Sequence, residues 1–393
     1  MISFDEAVTI VTAAARPLGS ERVALALAGN RVLSEPVLAR VDSPPADVSA
    51  MDGYAVLESD LESFPVRLRI VGKSFAGAAN GIRVESGCCV RIFTGAPLPV
   101  GADRVVIQEV VNEEDATAVI DRHPGPSRHV RRRASDFAEG DVLLTAGRRL
   151  GYREMVAAAG GDQADLSVWR QPRLFVISTG DELVAPGAAR GNATAIPESV
   201  SYGVTALAES WGGRLVGHLR LADDLPEMQR AALAAADAAD LVVVTGGASV
   251  GEKDLAKQMF APLDLLFSKV AIKPGKPVWL GRSGGVLVMG FPGNPTSALV
   301  TARLLLAPLV AGLSGLDPRS ALDWREVSLA APLGPCGDRE TFVRARSEAA
   351  SAEPVANQDS SAQKTLADAD LLLRRRALSG PSAAGDRVEI LSF

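Results

Sequence analysis

Apolar and polar positions change their spacing twice along the chain. Ser3 and Glu6 form a capping-box pair, and Ala7, Val8, Ile10 and Val11 behind them mark one face of an opening helix. From about 37 to 136 the apolar runs are short, as at 66–71 and 89–93, and Gly and Pro interrupt them, which predicts a β-rich segment. Beyond Trp169 the runs LFVIS (174–178) and LVVVT (241–245) have no polar alternation, the pattern of strands covered on both faces. Strands at 174–178, 215–219, 241–245 and 265–272 alternate with helical patterns near 201–211, 224–236 and 252–260, which predicts an α/β fold with a parallel, doubly wound sheet. The apolar stretch 304–313 contains Pro308 and is well short of the ~20 residues that span a bilayer, so it reads as a buried helix. Residues 315–318 read as a linker, followed by short alternating strands of a small terminal β-domain.

Composition narrows the class. With 393 residues, the chain is long enough for about two to four domains. A net charge of -6 leaves no overall basic field for a nucleic-acid backbone or an anionic membrane, so an anionic ligand needs a local basic pocket. Three cysteines, two of them adjacent at Cys88 and Cys89, make neither a disulfide framework nor a metal-finger spacing, which fits a reducing cytoplasm. Asp5 and Glu6 near the start argue against a secretory signal.

In an open α/β sheet, ligands sit beyond the carboxyl ends of the strands. Three turns there are rich in polar residues and glycine: STGDEL (178–183), TGGASVGEKD (245–254) and FPGNPTS (291–297), the last with Asn294 as N-cap and Pro295 in the first helical position. The loop AIKPGKP (271–277) holds Lys273 and Lys276 between two prolines, a stiff cationic element suited to a phosphate or oxyanion. Asp181, Glu182, Asp223, Asp224 and Asp254 are candidate Mg²⁺ carboxylates. Any one such loop is more often an ordinary turn, and the Arg131–Arg133 cluster is by default solvated, but several at successive strand ends favour a site. GASVG (247–251) imitates a nucleophile elbow at Ser249, yet His123, His129 and His218 all precede it, the wrong chain order for that hydrolase. There is no P-loop and no HExxH.

SAMDGYA (49–55), FTGAPLPVGADRVV (93–106), STGDEL, TGGASVGEKD, IKPGKP (272–277) and PGNP (292–295), in this order, resemble the molybdopterin molybdenumtransferases, the family that includes the E domain of gephyrin. The resemblance implies four domains: an elongated one from 1–42 with 139–169, an inserted β-rich one at 43–138, a doubly wound one at 170–317, and a terminal β-barrel at 318–393. It also implies a cytoplasmic homodimer whose site joins the α/β domain of one chain to the inserted domain of the other, with other cofactor-biosynthesis proteins as possible partners. The implied reaction is Mg²⁺-dependent insertion of molybdate into adenylylated molybdopterin with release of AMP. Asp52, Thr94, Arg131 and Asp136 match family site residues in the inserted domain, and Glu182, Asp254, Lys269 and Lys273 match those around the sheet, joined by Asp223 or Asp224. Asp52, Glu182 and Asp254 would organise metal and water. Ser249 stands in the glycine-rich loop, and Lys273, Lys276, Ser297, Arg344 and Ser360 are similar to positions lining a molybdate pocket. This chain departs from the family at Ala134 and Asp359, where Gly is usual, and at Val200, where Asn is common. Two alternatives remain: an adenylyltransferase acting one step earlier, and a dimeric scaffold without catalysis.

Overall fold

The computed structural model describes residues 1–78, 81–246 and 255–393. Its largest core surrounds a six-stranded sheet, in spatial order Arg214–Leu221, Arg173–Thr179, Leu241–Thr245, Val286–Phe291, Trp279–Ser283 and Asp264–Phe267. The first four strands are parallel. The last two run antiparallel, so the sheet is mixed at one edge instead of parallel throughout. The expected strand at 265–272 divides for the same reason: Asp264–Phe267 pairs inside the sheet, whereas Ile272–Lys273 pairs with Glu340–Glu348 of the terminal domain.

Alternate residues of the central strands feed two cores, as two-sided burial requires. Leu174, Val176, Leu241, Val243, Leu287 and Met289 pack on one side with helix Val200–Ser210, the opening helix Phe4–Ala14 and the Pro295–Leu313 helix. Ile177, Val242, Val244 and Val288 face the other side, where helix Leu225–Ala238 brings Met228, Ala232 and Ala235. The opening helix carries the expected capping box. Arg374 of the terminal domain ties down its first turn by pairing with Asp5 at 2.7 Å and lying over the Phe4 ring.

The apolar helix is longer than its sequence indicates. Pro295–Leu313 is helical throughout and has the length and composition of a membrane span, but 94% of its apolar window is buried inside the protein, so it is the spine of the core. Its middle, Ala302–Leu306, is a π-helical turn in which the Ala307 N–H reaches back to Ala302. Pro308 follows directly, and a widened turn accommodates a ring that would press on the carbonyl four residues earlier.

Residues 53–120 form a second six-stranded sheet, in order Arg104–Ile107, Gly53–Val56, Cys88–Ile92, Val66–Ser74, Thr117–Ile120 and Asn112–Glu114. Two short antiparallel pairs, Ser20–Ala24 with Asp165–Trp169 and Val37–Leu38 with Val142–Leu144, bring distant parts of the chain together beside helix Tyr152–Gly160. The terminal strands close on themselves: Glu340–Glu348, Ser351–Pro354, Arg325–Leu329, Arg387–Ser392 and Leu371–Arg375 form a ring in which the last pairs again with the first.

Candidate active site at the strand ends

Strands Arg173–Thr179, Leu241–Thr245 and Val286–Phe291 lie side by side and parallel, so their exit turns leave from one edge of the sheet. Glycine lets these turns touch. Gly246 has φ +91°, and a Cβ there would sit 2.3 Å from the Thr179 carbonyl oxygen. A Cβ on Gly293 would lie 3.5 Å from the Gly246 Cα, and the Gly246 N–H donates to the Phe291 carbonyl at 3.3 Å. Behind the turns, the buried Thr245 hydroxyl donates to the Ser178 hydroxyl at 3.1 Å. The neighbouring turn joins through Asp181, whose Oδ1 accepts the Asp223 N–H at 3.0 Å. Glu182 beside it is exposed, its carboxylate folded back over Gly180. Asp224 has a structural duty: it is the N-cap of helix Leu225–Ala238 and accepts the Glu227 N–H at 2.8 Å. Ser249 and Asp254 lie outside the described residues.

The lysine loop and a barrel loop converge on the start of the Pro295 helix. A Cβ on Gly275 would lie 2.0 Å from the Thr301 Cγ2 and 3.5 Å from the Ser297 carbonyl oxygen, so the loop between Lys273 and Lys276 rests on the first two turns of the helix. Both lysines are exposed, whereas Ser297 is buried. Lys269 is half-buried, its carbonyl accepting the Ile2 N–H. From the barrel, the Ser360 hydroxyl accepts the Asn294 side-chain N–H at 3.0 Å, and its carbonyl accepts the Thr296 N–H at 3.1 Å. Asn294 therefore occupies the cap position while its amide reaches to the barrel instead of closing its own helix.

Arg344 does not present its guanidinium to an open pocket. It is 1% exposed, and it donates to the Asp359 carbonyl at 3.0 Å, the Asn357 carbonyl at 3.3 Å and Gln358 Oε1 at 3.3 Å. Burial pulls its pKa below the usual arginine value, and the charge of Asp359 opposes that shift. In the structure Arg344 is the clamp of the loop that carries Ser360. Asp359 tolerates the position where Gly is usual because its φ is not in the left-handed region.

The second group of expected residues lies in the 53–120 sheet and its borders. Asp52 accepts the Thr94 backbone N–H at 2.7 Å and the Thr94 hydroxyl at 2.8 Å on the same oxygen. The backbone bond, then the hydroxyl bond, hold the Asp52 carboxyl below the usual carboxylate range, helped by the charge of Arg91. Arg91 also lies over the rings of Tyr54 and Phe93, and Phe93 stacks on the half-exposed Phe75 at 4.8 Å between centroids. Arg131 sits on a short strand paired to Val48, just before the Asp52 turn. In the arginine cluster, Arg132 pairs with Asp47 and Arg133 with Asp42, leaving Arg131 exposed with no acidic partner among the described residues. Ala134 has φ +57°, a left-handed backbone that glycine would adopt without strain. Asp136 is exposed on the rim of a different groove, shared with Asp141, Val142, Arg153 and Val156.

Within one chain the two groups stay apart. Among the described residues, no hydrogen bond, ion pair or β-bridge joins 43–138 to the mixed sheet or the barrel. Sequence reasoning passed over Glu198, which is 3% exposed and whose carboxylate accepts the Ser201 N–H at 2.9 Å and the Ser201 hydroxyl, fixing the start of helix Val200–Ser210. The three-residue spacing from Glu198 to Ser201 was the available signal. Val200 points into the core, where it contacts apolar neighbours. Gln358 was also missed, and only its bonds across the barrel reveal it.

Comparison with known proteins agrees with this layout. Residues 2–161 match the family model described as the MoeA N-terminal region (domain I and II), and 175–312 match a probable molybdopterin binding domain. The molybdopterin molybdenumtransferase of Haemophilus influenzae is 38% identical over 301 residues, 76% of this chain and 74% of that protein. Molybdopterin molybdenumtransferase 2 of Mycobacterium tuberculosis is 34% identical over 337 residues, 82% of each. The crystal structure of the molybdopterin biosynthesis MoeA protein from Pyrococcus horikosii superposes with a TM-score of 0.83 at 28% identity, covering 100% of this chain and 99% of that one. With the two family models covering the inserted and α/β regions and full-length relatives agreeing over three quarters of the sequence, the chain belongs to the molybdopterin molybdenumtransferases, transferases of molybdenum cofactor biosynthesis.

Proposed function

We propose that this protein transfers molybdenum from molybdate to adenylylated molybdopterin in a Mg²⁺-dependent step that releases AMP, and that it does so as a cytoplasmic homodimer. The observation that carries the reading is the meeting of four loops around the first turn of the Pro295 helix: Gly246 against Gly293, Thr179 against Gly246, Gly275 over Ser297, and Ser360 on Asn294. A helix start flanked by lysines favours an anion through the helix dipole and the lysine charge, although Pro295 has no N–H and the Thr296 N–H is already taken by the Ser360 carbonyl. Lys273, Lys276, Ser297 and Ser360 would hold a tetrahedral oxyanion there, with Arg344 keeping the Ser360 loop in place. Lys269 lies at the base of this loop and adds positive charge.

The carboxylates fit Mg²⁺ in a limited way. Among the described residues, no three acidic or metal-binding side chains form a cage. The Asp181 to Asp223 bond does bring two acidic turns together beside Glu182, and Mg²⁺ is commonly held by one or two carboxylates plus substrate phosphates. Glu182 and Asp223, with Asp254, are the residues that would hold it. When bound, the ion would neutralise charge on the phosphoanhydride. Asp52, kept ionised by its two bonds from Thr94, orients against the substrate from the other half of the site, with Arg131 supplying a free cation and Asp136 bordering the approach. The half-exposed ring of Phe75 offers a flat surface to a heterocycle.

The homodimer reading rests on the separation of the two halves and on an unusual apolar patch. Tyr152 is 81% exposed, Val156 one helical turn later is 72% exposed, and Val142 beside them is 58% exposed. The cytoplasmic reading is supported by three unbonded cysteines, Cys88 and Cys89 among them. The test is product analysis: molybdate-dependent AMP release from adenylylated molybdopterin supports the proposal, whereas ATP-dependent pyrophosphate release would identify an adenylyltransferase. Absence of both, in a protein that remains dimeric, would identify a scaffold.

A further inference from the structure

A second cationic cavity lies between Lys273 of the lysine loop and the barrel. Its volume is about 260 Å³, and its walls include Lys273, Cys336, Arg339, Thr341 and Arg375. Arg375 is only 6% exposed. A buried guanidinium is ordinarily matched by a carboxylate or has its donors taken up by carbonyl groups. Other buried arginines have a carboxylate or a full set of carbonyl acceptors: Arg104 pairs with Glu58, although its Nε is left without a partner, Arg374 pairs with Glu340, and Arg344 donates around its edge to the 357–359 loop. Arg375 is different. Its Nη2 donates to the carbonyls of Gly334 and Gly380, and its Nε and Nη1 have no protein acceptor among the described residues.

The other charges do not neutralise it. Arg339 donates weakly to the Ile272 carbonyl at 3.4 Å, and its one acidic neighbour, Asp338, stands 3.9 Å away with 89% of its side chain exposed. Lys273 has no ion-pair partner among the described residues. Three cations thus face a half-open cleft bordered by one distant, solvated acid. Charge of one sign inside low-dielectric walls draws in a counter-ion, and the planar fork of arginine matches a tetrahedral oxyanion in two-point contact.

We propose that this cavity is a binding site for a small tetrahedral dianion, of the phosphate, sulfate or molybdate class, held by Arg375, Arg339 and Lys273. Its lining shares Lys273 with the pocket proposed at the Pro295 helix but includes none of Lys276, Ser297 or Ser360. Because Lys273 borders the cavity, an ion held here competes for that side chain and sets how much of its charge reaches the first pocket. The inference needs no assumption about turnover, so its failure and that of the proposed reaction are distinguishable.

The test is calorimetric titration of the full-length protein with inorganic phosphate in a chloride buffer, without pterin. Wild type is expected to bind phosphate with a component that Arg339→Ala weakens at least ten-fold, and that component is expected to persist in Ser297→Ala, whose loss falls in the other pocket. Arg375→Met is expected to abolish it. Since Arg375 also holds Gly334 and Gly380, Arg339→Ala carries the test if the methionine variant misfolds. Molybdate that displaces phosphate at comparable concentration would show that the site takes the metal oxyanion. Phosphate retained against a ten-fold excess of molybdate would show a phosphate site, and both results support the assignment. No phosphate binding in wild type, or binding unchanged in Arg339→Ala, overturns it.

Discussion

Replacing Arg344 by lysine separates a residue that grips substrate from one that holds a loop. If the guanidinium touched molybdate, the ammonium of Arg344→Lys would keep the charge and much of the binding. In the structure the fork reaches three acceptors on 357–359 instead, at 3.0 to 3.3 Å, and a single ammonium cannot span them. Hydrogen bonds from a charged donor contribute about 1.5–3 kcal/mol each. Two of the three are at the long end of the range, and 357–359 is exposed enough for water to replace part of them, so the loss is about 2–4 kcal/mol. That is enough to release the loop without unfolding the barrel. Gln358→Ala is the decisive companion, because it removes the partner that bonds the Arg344 backbone at both ends, N–H at 3.0 Å and carbonyl at 2.8 Å, while leaving the charge intact. Hydrogen exchange across 355–362 should accelerate in both variants, with a raised KM for molybdate and a smaller change in kcat. If Gln358→Ala left exchange and KM at wild-type values while Arg344→Ala alone abolished molybdate binding, the loop-clamp reasoning would be refuted and direct contact restored.

Three further outcomes follow from geometry already described. Thr94→Val removes one of the two bonds that keep the Asp52 carboxyl low, so carbon-detected NMR titration should find its pKa moved up toward the ordinary range. A depressed folded-state pKa stabilises above the unfolded value of about 4 and loses that contribution as pH falls through the folded value. The variant should therefore be less stable than wild type at neutral pH, with the gap closing on acidification. Ala134→Gly relieves a left-handed alanine worth about 1–2 kcal/mol, against about 0.4–1 kcal/mol of added unfolded-chain entropy; urea denaturation should find the variant more stable by up to about 1.6 kcal/mol, and a loss would contradict the φ of +57°. Tyr152→Glu with Val156→Glu should halve the mass measured by light scattering and abolish turnover. A fully active monomer would exclude a site shared between chains.

Much of the architecture is legible in the sequence because it follows from local rules. The capping box at Ser3 and Glu6, the two-sided strands at 174–178 and 241–245, and the glycines that permit Gly246 to meet Thr179 all act through neighbours a few residues away or through burial. What escaped depends on partners far along the chain. Nothing near 265–272 tells that its two ends join different sheets, since pairing with Trp279–Ser283 and with Glu340–Glu348 is decided by tertiary packing. The same holds for Arg344, whose acceptors lie 13 to 15 residues away. Asp224 is the exception: its partner, the Glu227 N–H, is local, and a carboxylate that could equally bind a metal is engaged at a helix start. The proline at 308 hid the length of the core helix, because a π-turn absorbs a residue that ordinarily ends one.

Ile272 and Lys273 are stitched to the barrel wall while the chain before and after them is woven into the mixed sheet. Beside the core they share and the Ser360 and Arg374 bonds, the two bodies are thus sewn by a thread two residues wide, and that thread carries the charge of Lys273. Any tilt of the barrel drags Lys273 with it, whereas Lys276, beyond the seam, stays with the sheet. The spacing between the two ammonium groups is consequently a gauge of how the barrel sits, and substitutions at the remote barrel rim can retune it without touching either lysine.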